Sequence, residues 1–228
     1  MVKNKAKISI ISIIIVLCLT MFSFYIAEDL PNLLTGRTIT RVNILETPPA
    51  DCEVHLAEGL NLASFYCETG ERHVSNALTD ENNTVLNYTA IFRFNPGDEE
   101  NPWSSYNPNL PNWTIQNLNN LNRRYGYWIK MEEPGMYFRE GFDFPQTTIN
   151  LRRGWNLIGY PTSTERDIED ALSQISATYT RVEAYTEVDG TKTWLYHVPG
   201  GPSTIENMTP GLGYWVYMEQ DATLLINW

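Results

Sequence analysis

The strongest constraint on the fold is an internal repeat. Residues 125–132 read YGYWIKME, and residues 212–219 read LGYWVYME. Residues 59–62 (GLNL) match residues 154–157 (GWNL), and Trp103 matches Trp194. The spacing between matched residues falls steadily from 95 to 87, so the two copies are collinear and the first carries about eight extra loop residues. The chain therefore contains two copies of one supersecondary unit, and we expect both copies to have the same fold.

The repeat divides the chain into four parts. Residues 51–141 form a first, degenerate β-module with an insertion, and residues 142–228 form the second module. Residues 1–27 form a hydrophobic leader segment, and residues 28–50 form a linker marked by prolines. We expect this linker to be a plain spacer. The alternation from Thr38 to Ile44 is also typical of an extra strand, and pairing of that strand with its own sheet or with a neighbour's is the alternative.

The second copy gives the clearer secondary-structure pattern. Short alternating runs flank Gly154, which predicts two strands around a turn. Apolar residues at helical spacing between Ile168 and Ile175 predict one short helix. The Asp189-Gly190 pair between alternating runs predicts a hairpin. The expected fold is mainly β with one short helix per module (α+β): two tandem small antiparallel barrels or sandwiches after an N-terminal transmembrane helix.

The repeated aromatic residues are expected to build the core of these small modules. A module of under about 100 residues buries little surface, and tryptophan buries much area per residue. The run from Tyr214 to Met218 is apolar throughout, which favours a strand covered on most of its surface. The predicted core aromatics are Trp128, Trp155, Trp194 and Trp215.

The second copy resembles a module of secreted and cell-surface proteins of archaea and some bacteria. The resemblance is carried by GWNLIGYP at residues 154–161 and PGLGYWV at residues 210–216, with a short helix and a tryptophan-bearing hairpin between them. The first copy departs from it, with Leu60 in place of Trp155 and Arg123-Arg124 in place of Pro210-Gly211. The resemblance implies an extracytoplasmic β-rich domain without assigned catalytic residues.

The amino terminus predicts a membrane anchor. Lys3, Lys5 and Lys7 precede an apolar run over residues 8–27, which is long enough to span a bilayer as a helix. Basic residues before the run place the amino terminus in the cytoplasm and the rest of the chain outside. The expected location is therefore the cell membrane, single-pass, with the membrane as a partner through residues 8–27. Secretion after cleavage of a signal peptide is the alternative.

Two further patterns agree with an exterior location. Cys52 and Cys67 are the cysteines outside the apolar run, and in an oxidising compartment we expect them to pair as a disulfide. Four Asn-x-Ser/Thr triplets are candidate N-glycosylation sites. Their asparagines are Asn82, Asn87, Asn112 and Asn207.

The composition and motifs argue against several functional classes. A formal net charge of −11 disfavours nucleic acid as a partner, because phosphates require a basic face. The histidines His55, His73 and His197 form no paired metal motif, and no nucleophile elbow, phosphate loop or dinucleotide fingerprint occurs. We therefore expect no catalytic residue, no metal site, no cofactor and no enzyme activity.

Aromatic residues in the insertion of the first copy are the candidate binding residues: Trp113, Tyr106 and Tyr125. The leading hypothesis is a non-enzymatic, membrane-anchored surface protein for adhesion, envelope structure or protein–protein contact, with surface proteins or glycans as partners. One alternative is a self-assembling subunit of an extracellular filament, built by strand donation or through a pilin-like amino terminus. Another is a carbohydrate-binding module.

Overall fold

A computed structural model describes residues 50–111, 113–142 and 145–227. The first half of this part contains eight strands and a single 3₁₀ turn, Val74–Asn76. Its strands are β1 (Ala50–Leu56), β2 (Gly59–Ala63), β3 (Thr69–His73), β4 (Tyr88–Phe94), β5 (Trp103–Tyr106), β6 (Asn120–Asn122), β7 (Tyr127–Met131) and β8 (Gly135–Phe142).

The second half contains eight strands, one α-helical turn and one 3₁₀ turn. Helix α1 (Ile168–Ala171) is followed by the 3₁₀ turn Ser173–Ile175. The strands are β9 (Thr147–Leu151), β10 (Gly154–Gly159), β11 (Arg166–Asp167), β12 (Tyr179–Val188), β13 (Thr191–His197), β14 (Asn207–Met208), β15 (Gly213–Met218) and β16 (Ala222–Ile226).

Both halves use the same strand pairing. The first half forms a four-stranded sheet in the order β2-β7-β4-β5 with the pairs β1-β8 and β3-β6. The second half forms a four-stranded sheet in the order β10-β15-β12-β13 with the pairs β9-β16 and β11-β14. All of these pairings are antiparallel, and Gly59 opposes Met131 as Gly154 opposes Met218. The fold is thus mainly β and antiparallel.

The expected closed barrel is not formed by the described residues. Each four-stranded sheet is open, with β2 and β5 as the outer strands of the first sheet and β10 and β13 as those of the second. The predicted short helix of each module is reduced to the 3₁₀ turn Val74–Asn76 in the first half, and to α1 followed by the 3₁₀ turn Ser173–Ile175 in the second. Asp167 caps α1 by accepting hydrogen bonds from the backbone N–H groups of Glu169 and Asp170, at 2.9 and 3.2 Å.

Each half has its own hydrophobic core. In the first half the core includes Phe65, Tyr127 and Tyr137, all fully buried. In the second half it includes Ile168, Val182 and Tyr214. Residues 48–228 nevertheless cluster as one compact unit, so the two halves are packed against each other.

The repeated Gly-x-Asn sequence forms a clamped turn in each half. Gly59 and Gly154 have φ values of +80° and +91°, which favour glycine. Asn61 accepts from the N–H of Ala57 at 3.0 Å and donates to the carbonyls of Ala57 and Gly59 at 2.7 and 3.1 Å. Asn156 makes the equivalent three bonds around Gly154. These motif residues therefore shape a turn.

The repeated Gly-Tyr pair fastens the two halves together. An added Cβ on Gly126 would lie 2.8 Å from the carbonyl oxygen of Ile158, and one on Gly213 would lie 3.0 Å from that of Ala63. Isolated antiparallel bridges join Ala63 to Leu212 and Tyr125 to Ile158. Glycine is needed here because the backbone of one half approaches the backbone of the other.

Reciprocal hydrogen bonds and apolar contacts complete this junction. The N–H of Ser64 donates to Gly211 at 2.8 Å, and the N–H of Gly159 donates to Arg124 at 3.0 Å. Leu62 lies against Gly213, while Leu157 lies against Gly126. Both leucines are almost fully buried. Each half thus offers the other the same contacts, as in an isologous dimer interface.

Cys52 and Cys67 lie together as a disulfide pair in the first half. Their Cα atoms are 6.3 Å apart and their side chains are buried. The pair links β1 to the loop that follows β2, across a sequence separation of 15.

Several sequence predictions concern residues outside the described part of the chain. They include the anchor at residues 8–27, the linker strand near residues 38–44 and the glycosylation site Asn112. In the part of the chain that the structure describes, no helix has the length and hydrophobicity required to cross a bilayer.

We predict that the disulfide forms in the native protein and that Cys18 takes no part in it. Thiol titration of a denatured, unreduced fragment starting at residue 30 should detect no free thiol, and reduction should expose two. Detection of two free thiols before reduction would contradict the pairing. Since the closed loop is short, Cys52→Ser should cost about 3 kcal/mol of unfolding free energy.

We predict that Gly126→Ala destabilises the protein by about 1–3 kcal/mol, because its methyl group would overlap the backbone of the other half. Denaturant unfolding measures the loss. Gly97→Ala is the matched control, since its Cβ would meet a single side-chain oxygen at 3.5 Å, an ordinary contact. Equal stability of the two variants would show that the junction does not require glycine.

Candidate functional site

The pleat of the central strands turns the repeated tryptophans away from their own cores. In β7, Tyr127, Ile129 and Met131 are buried, while Trp128 between them is only half-buried. In β15 the same alternation leaves Trp215 on the outer face. These outer faces of the two four-stranded sheets meet each other.

The prediction that Trp128, Trp155, Trp194 and Trp215 form the core is wrong. Trp194 is 49% exposed, and the other three are half-buried. Tyrosines and aliphatic residues fill the cores instead. Strand β15 packs one face against the core of the second half. Its other face, which carries Trp215, packs against the first half but stays partly open to solvent.

Two matching aromatic clusters join the halves. Trp215 of the second half lies 5.1 Å from Phe94 and 6.1 Å from Trp103 of the first half, measured between ring centroids. Trp128 of the first half lies 5.4 Å from Tyr185 and 5.8 Å from Trp194 of the second half. Trp128 and Trp215 hold equivalent positions in the repeat, as do Trp103 and Trp194. The contacts are therefore reciprocal.

An open cleft lies between these clusters. Five tryptophans and one carboxylate line about 450 Å³ of space: Trp103, Trp128, Trp155, Trp194, Trp215 and Glu183. We call this space the tryptophan cleft. A second hollow of about 420 Å³ shares Trp103 and Trp128 and continues to Leu60 and Phe92. Large apolar surface thus remains open to solvent along both halves.

The strands around the cleft are arranged alike in the two halves, but the side chains that line it differ. Glu183 occupies the position that Phe92 holds in the first half, since each lies opposite the repeated tryptophan of its sheet. Trp155 occupies the position of Leu60. The second half therefore contributes an extra indole ring and a negative charge, and Glu183 is the one residue with a titratable side chain among those lining the cleft.

Glu183 forms an ion pair with Arg181. The guanidinium Nε of Arg181 lies 2.5 Å from its Oε1, and the same guanidinium lies 5.5 Å from the ring centroid of Tyr196. Arg181 is well exposed, so water screens this ion pair. The carboxylate thus keeps part of its negative field at the cleft.

None of the aromatic residues predicted to bind a ligand lines the tryptophan cleft. Trp113 is 83% exposed and lies outside the tryptophan cleft. Tyr106 and Tyr125 are partly buried against the first core, and the guanidinium of Arg93 lies 4.9 Å from the ring centroid of Tyr125. Of the candidate glycosylation sites, Asn82, Asn87 and Asn207 are exposed.

A buried charge cluster escaped the sequence analysis. Glu68 is fully buried, pairs with Arg72, lies 3.7 Å from Arg139 and accepts a 2.9 Å hydrogen bond from Tyr137. Burial, and then the neighbouring carboxylate, raise the pKa of the Tyr137 hydroxyl. The cluster ties β8 to the loop after β2. Glu68 carries no periodic signal that could have revealed it.

No group of three or more histidine, cysteine, aspartate or glutamate side chains is positioned to hold an ion within residues 50–111, 113–142 and 145–227. His55 and His73 are exposed, whereas His197 is buried in the second half.

The tryptophan cleft can stack aromatic rings against a ligand and attract positive charge.

Comparison of the chain with family models, with curated proteins and with solved structures gives no significant match.

His197 is a buried titratable group outside the cleft. Its Nε2 lies 3.2 Å from the Tyr179 hydroxyl and its Nδ1 lies 3.1 Å from the Ser203 hydroxyl. Burial lowers the pKa of His197 below its usual 6.5, although Glu169 and Asp167 oppose the shift. The pKa of Tyr179 is raised to about 12, chiefly by burial.

We predict that the protein loses stability on acidification through His197. Below about pH 6.5 His197 becomes protonated in the unfolded chain but stays neutral in the folded chain, because its pKa is lower there. The free energy of unfolding therefore decreases as pH falls. The slope is at most about 1.4 kcal/mol per pH unit. Denaturant unfolding of wild type and His197→Gln between pH 7.5 and 5 measures it. If both proteins show the same pH dependence, His197 is not responsible.

Proposed function

We propose that this chain is a non-enzymatic surface protein that binds a partner or ligand through the tryptophan cleft. The observation that carries the proposal is the exposure of Trp103 and Trp194, at 44% and 49%, on a face shared by both halves. Large exposed apolar patches on a folded protein mark interaction sites. Tryptophan is also the residue most enriched among the energetic centres of interfaces.

The cleft suits binding better than catalysis. Acid–base catalysis by side chains commonly uses a pair of titratable groups whose environments set different protonation states. Glu183 has no second titratable partner among the lining residues. The aromatic rings, by contrast, come preassembled, because contacts between the halves hold them in place. A ligand would therefore meet a formed surface at little cost in ordering.

Two features support an exterior location. The Cα atoms of Cys52 and Cys67 are 6.3 Å apart, a distance that a disulfide bond spans. Disulfide bonds persist in oxidising compartments. The apolar run over residues 8–27 is the proposed anchor, with secretion after cleavage as the alternative. The thiol titration described above also tests the compartment when it is performed on protein isolated from its own cell.

The matching strand pairings support a duplicated module as the origin of both halves. Under this proposal residues 51–141 and 142–228 descend from one unit of the kind found in secreted and surface proteins. The reciprocal junction follows, since each copy presents the same surface to the other. The cleft then arises between copies, where small differences in lining select a ligand.

Assembly into a filament remains the first alternative. Its proposed contacts are strand donation at a sheet edge and a pilin-like amino terminus. In the described residues β5 and β13 are outer strands of their sheets, which leaves backbone groups for added strands. A carbohydrate-binding module is the second alternative, and the same tryptophan rings support it because sugars stack on indole faces.

A binding array tests the proposal. We expect the full-length protein to bind at least one class among immobilised glycans, extended peptides and amines, and to lose that binding in the double variant Trp103→Ala/Trp194→Ala. The expected loss is about tenfold or more, since each exposed aromatic anchor contributes more than 1 kcal/mol to a typical interface.

Trp113→Ala is the matched control, because Trp113 is exposed but outside the cleft. It should bind like wild type. Loss of binding in Trp113→Ala alone would move the site to the insertion of the first half. Thermal unfolding of all variants should show that they remain folded. If every probe class fails to bind wild type, or binds the double variant equally, the cleft is not the site.

A further inference from the structure

The tryptophan cleft has an unusual combination of linings for a ligand site. It offers indole rings on several sides and one carboxylate, with few other polar groups. Trp155 and Trp215 meet at 89° and Trp103 and Trp215 at 67°, so neighbouring rings stand as walls at steep angles. Rings arranged in this way surround a compact group better than they support a flat one.

We propose that the tryptophan cleft binds a quaternary ammonium group on a small molecule of the choline type. This assignment rests on the proposed use of the cleft for binding and names its ligand class. Quaternary ammonium groups are held by aromatic rings, whose faces carry negative charge, and they require no hydrogen bond. The lining matches both properties.

The position of Glu183 argues for a cationic ligand. A purely structural junction between the halves would need no charge at this position, and the equivalent residue of the first half is Phe92. Glu183 instead places a carboxylate beside Trp215, on the strand next to it. Carboxylate and ring faces together attract a cation, and the net charge of −11 adds a long-range attraction.

Hydrogen-bonding requirements separate this ligand from others. Sugar hydroxyls and primary ammonium groups lose hydrogen bonds to water on entry, and acceptor side chains among the lining residues are limited to Glu183. A trimethylammonium group loses none. A ligand with its own anion, such as betaine or phosphocholine, would meet repulsion from Glu183. A choline-type cation with a neutral tail fits best.

Arg181 sets a measurable limit on this attraction. Its guanidinium pairs with Glu183 and partly neutralises the carboxylate. A cation entering the cleft therefore shares Glu183 with Arg181. Removing the arginine charge should strengthen binding, while removing the glutamate charge should weaken it. A site that only stacked apolar groups would show neither effect.

Calorimetric titration of the full-length protein with choline tests the proposal. Tryptophan fluorescence during the same titration reports on the cleft. We expect saturable binding to wild type, and binding weakened about fivefold in Glu183→Gln, the size expected for a partly exposed ion pair. Arg181→Gln should bind more tightly than wild type. The double variant Trp103→Ala/Trp194→Ala should not bind.

Matched ligands separate charge from shape. The neutral isostere 3,3-dimethyl-1-butanol has the same bulk as choline without its charge and should bind more weakly to wild type, and equally to wild type and Glu183→Gln. Ethanolamine, betaine and phosphocholine should each bind more weakly than choline. Equal binding of choline and the neutral isostere would overturn the cation assignment.

The outcomes distinguish this inference from the proposed function. If choline does not bind while a glycan or peptide binds in a manner that depends on Trp103 and Trp194, the ligand class is wrong and the cleft remains a binding site. If choline binds wild type and the tryptophan double variant equally, choline does not occupy the cleft and the assigned ligand class is wrong; the array of glycans and peptides then decides whether the cleft binds another ligand.

Discussion

The close approach of two backbones at Gly126 and Gly213 is the contact on which the rest of the structure depends. Each glycine lies against a carbonyl of the other half, at Ile158 and Ala63, where an added Cβ would lie 2.8 and 3.0 Å from the carbonyl oxygen. Hydrogen bonds and paired leucines reinforce the approach from both sides. Beside this contact, aromatic rings on the outer faces of the two open sheets meet. Without it, the tryptophans of each half would lie on separate, exposed sheets.

The cleft follows from this junction and from the pleat of the strands. Alternation places tyrosine and aliphatic side chains in the core of each half and tryptophan on the opposite face. Reciprocal contacts then pair each central tryptophan with the aromatic hairpin of the other half. The strands are arranged alike in both halves, but Trp155 and Glu183 are replaced by Leu60 and Phe92 at the equivalent positions of the first half. The positions at which the copies differ therefore give the two sides of the cleft different chemical character.

The repeated motif itself serves the architecture. Its asparagine clamps a glycine turn, its glycine admits the other half, and its tyrosine is buried with a bonded hydroxyl. The Tyr127 hydroxyl accepts from the N–H of Asn122 at 2.7 Å, and the Tyr214 hydroxyl accepts from that of Thr209 at 2.7 Å. All three roles are structural. The repeated motif is the strongest signal in the sequence, and it therefore identifies a fold more readily than a ligand.

The sequence by itself determined the local elements. The β-rich antiparallel content, the glycine turns and the Asp189-Gly190 hairpin follow from spacing and turn chemistry, which act between near neighbours. It could not determine what covers the outer face of a strand. Alternation shows that Trp128 and Ile129 point to opposite sides, but which side is solvent depends on a surface nearly ninety residues away in the chain. Tertiary structure alone decided that the open sheets meet and that the tryptophans line a cleft, because burial is a property of the packed pair.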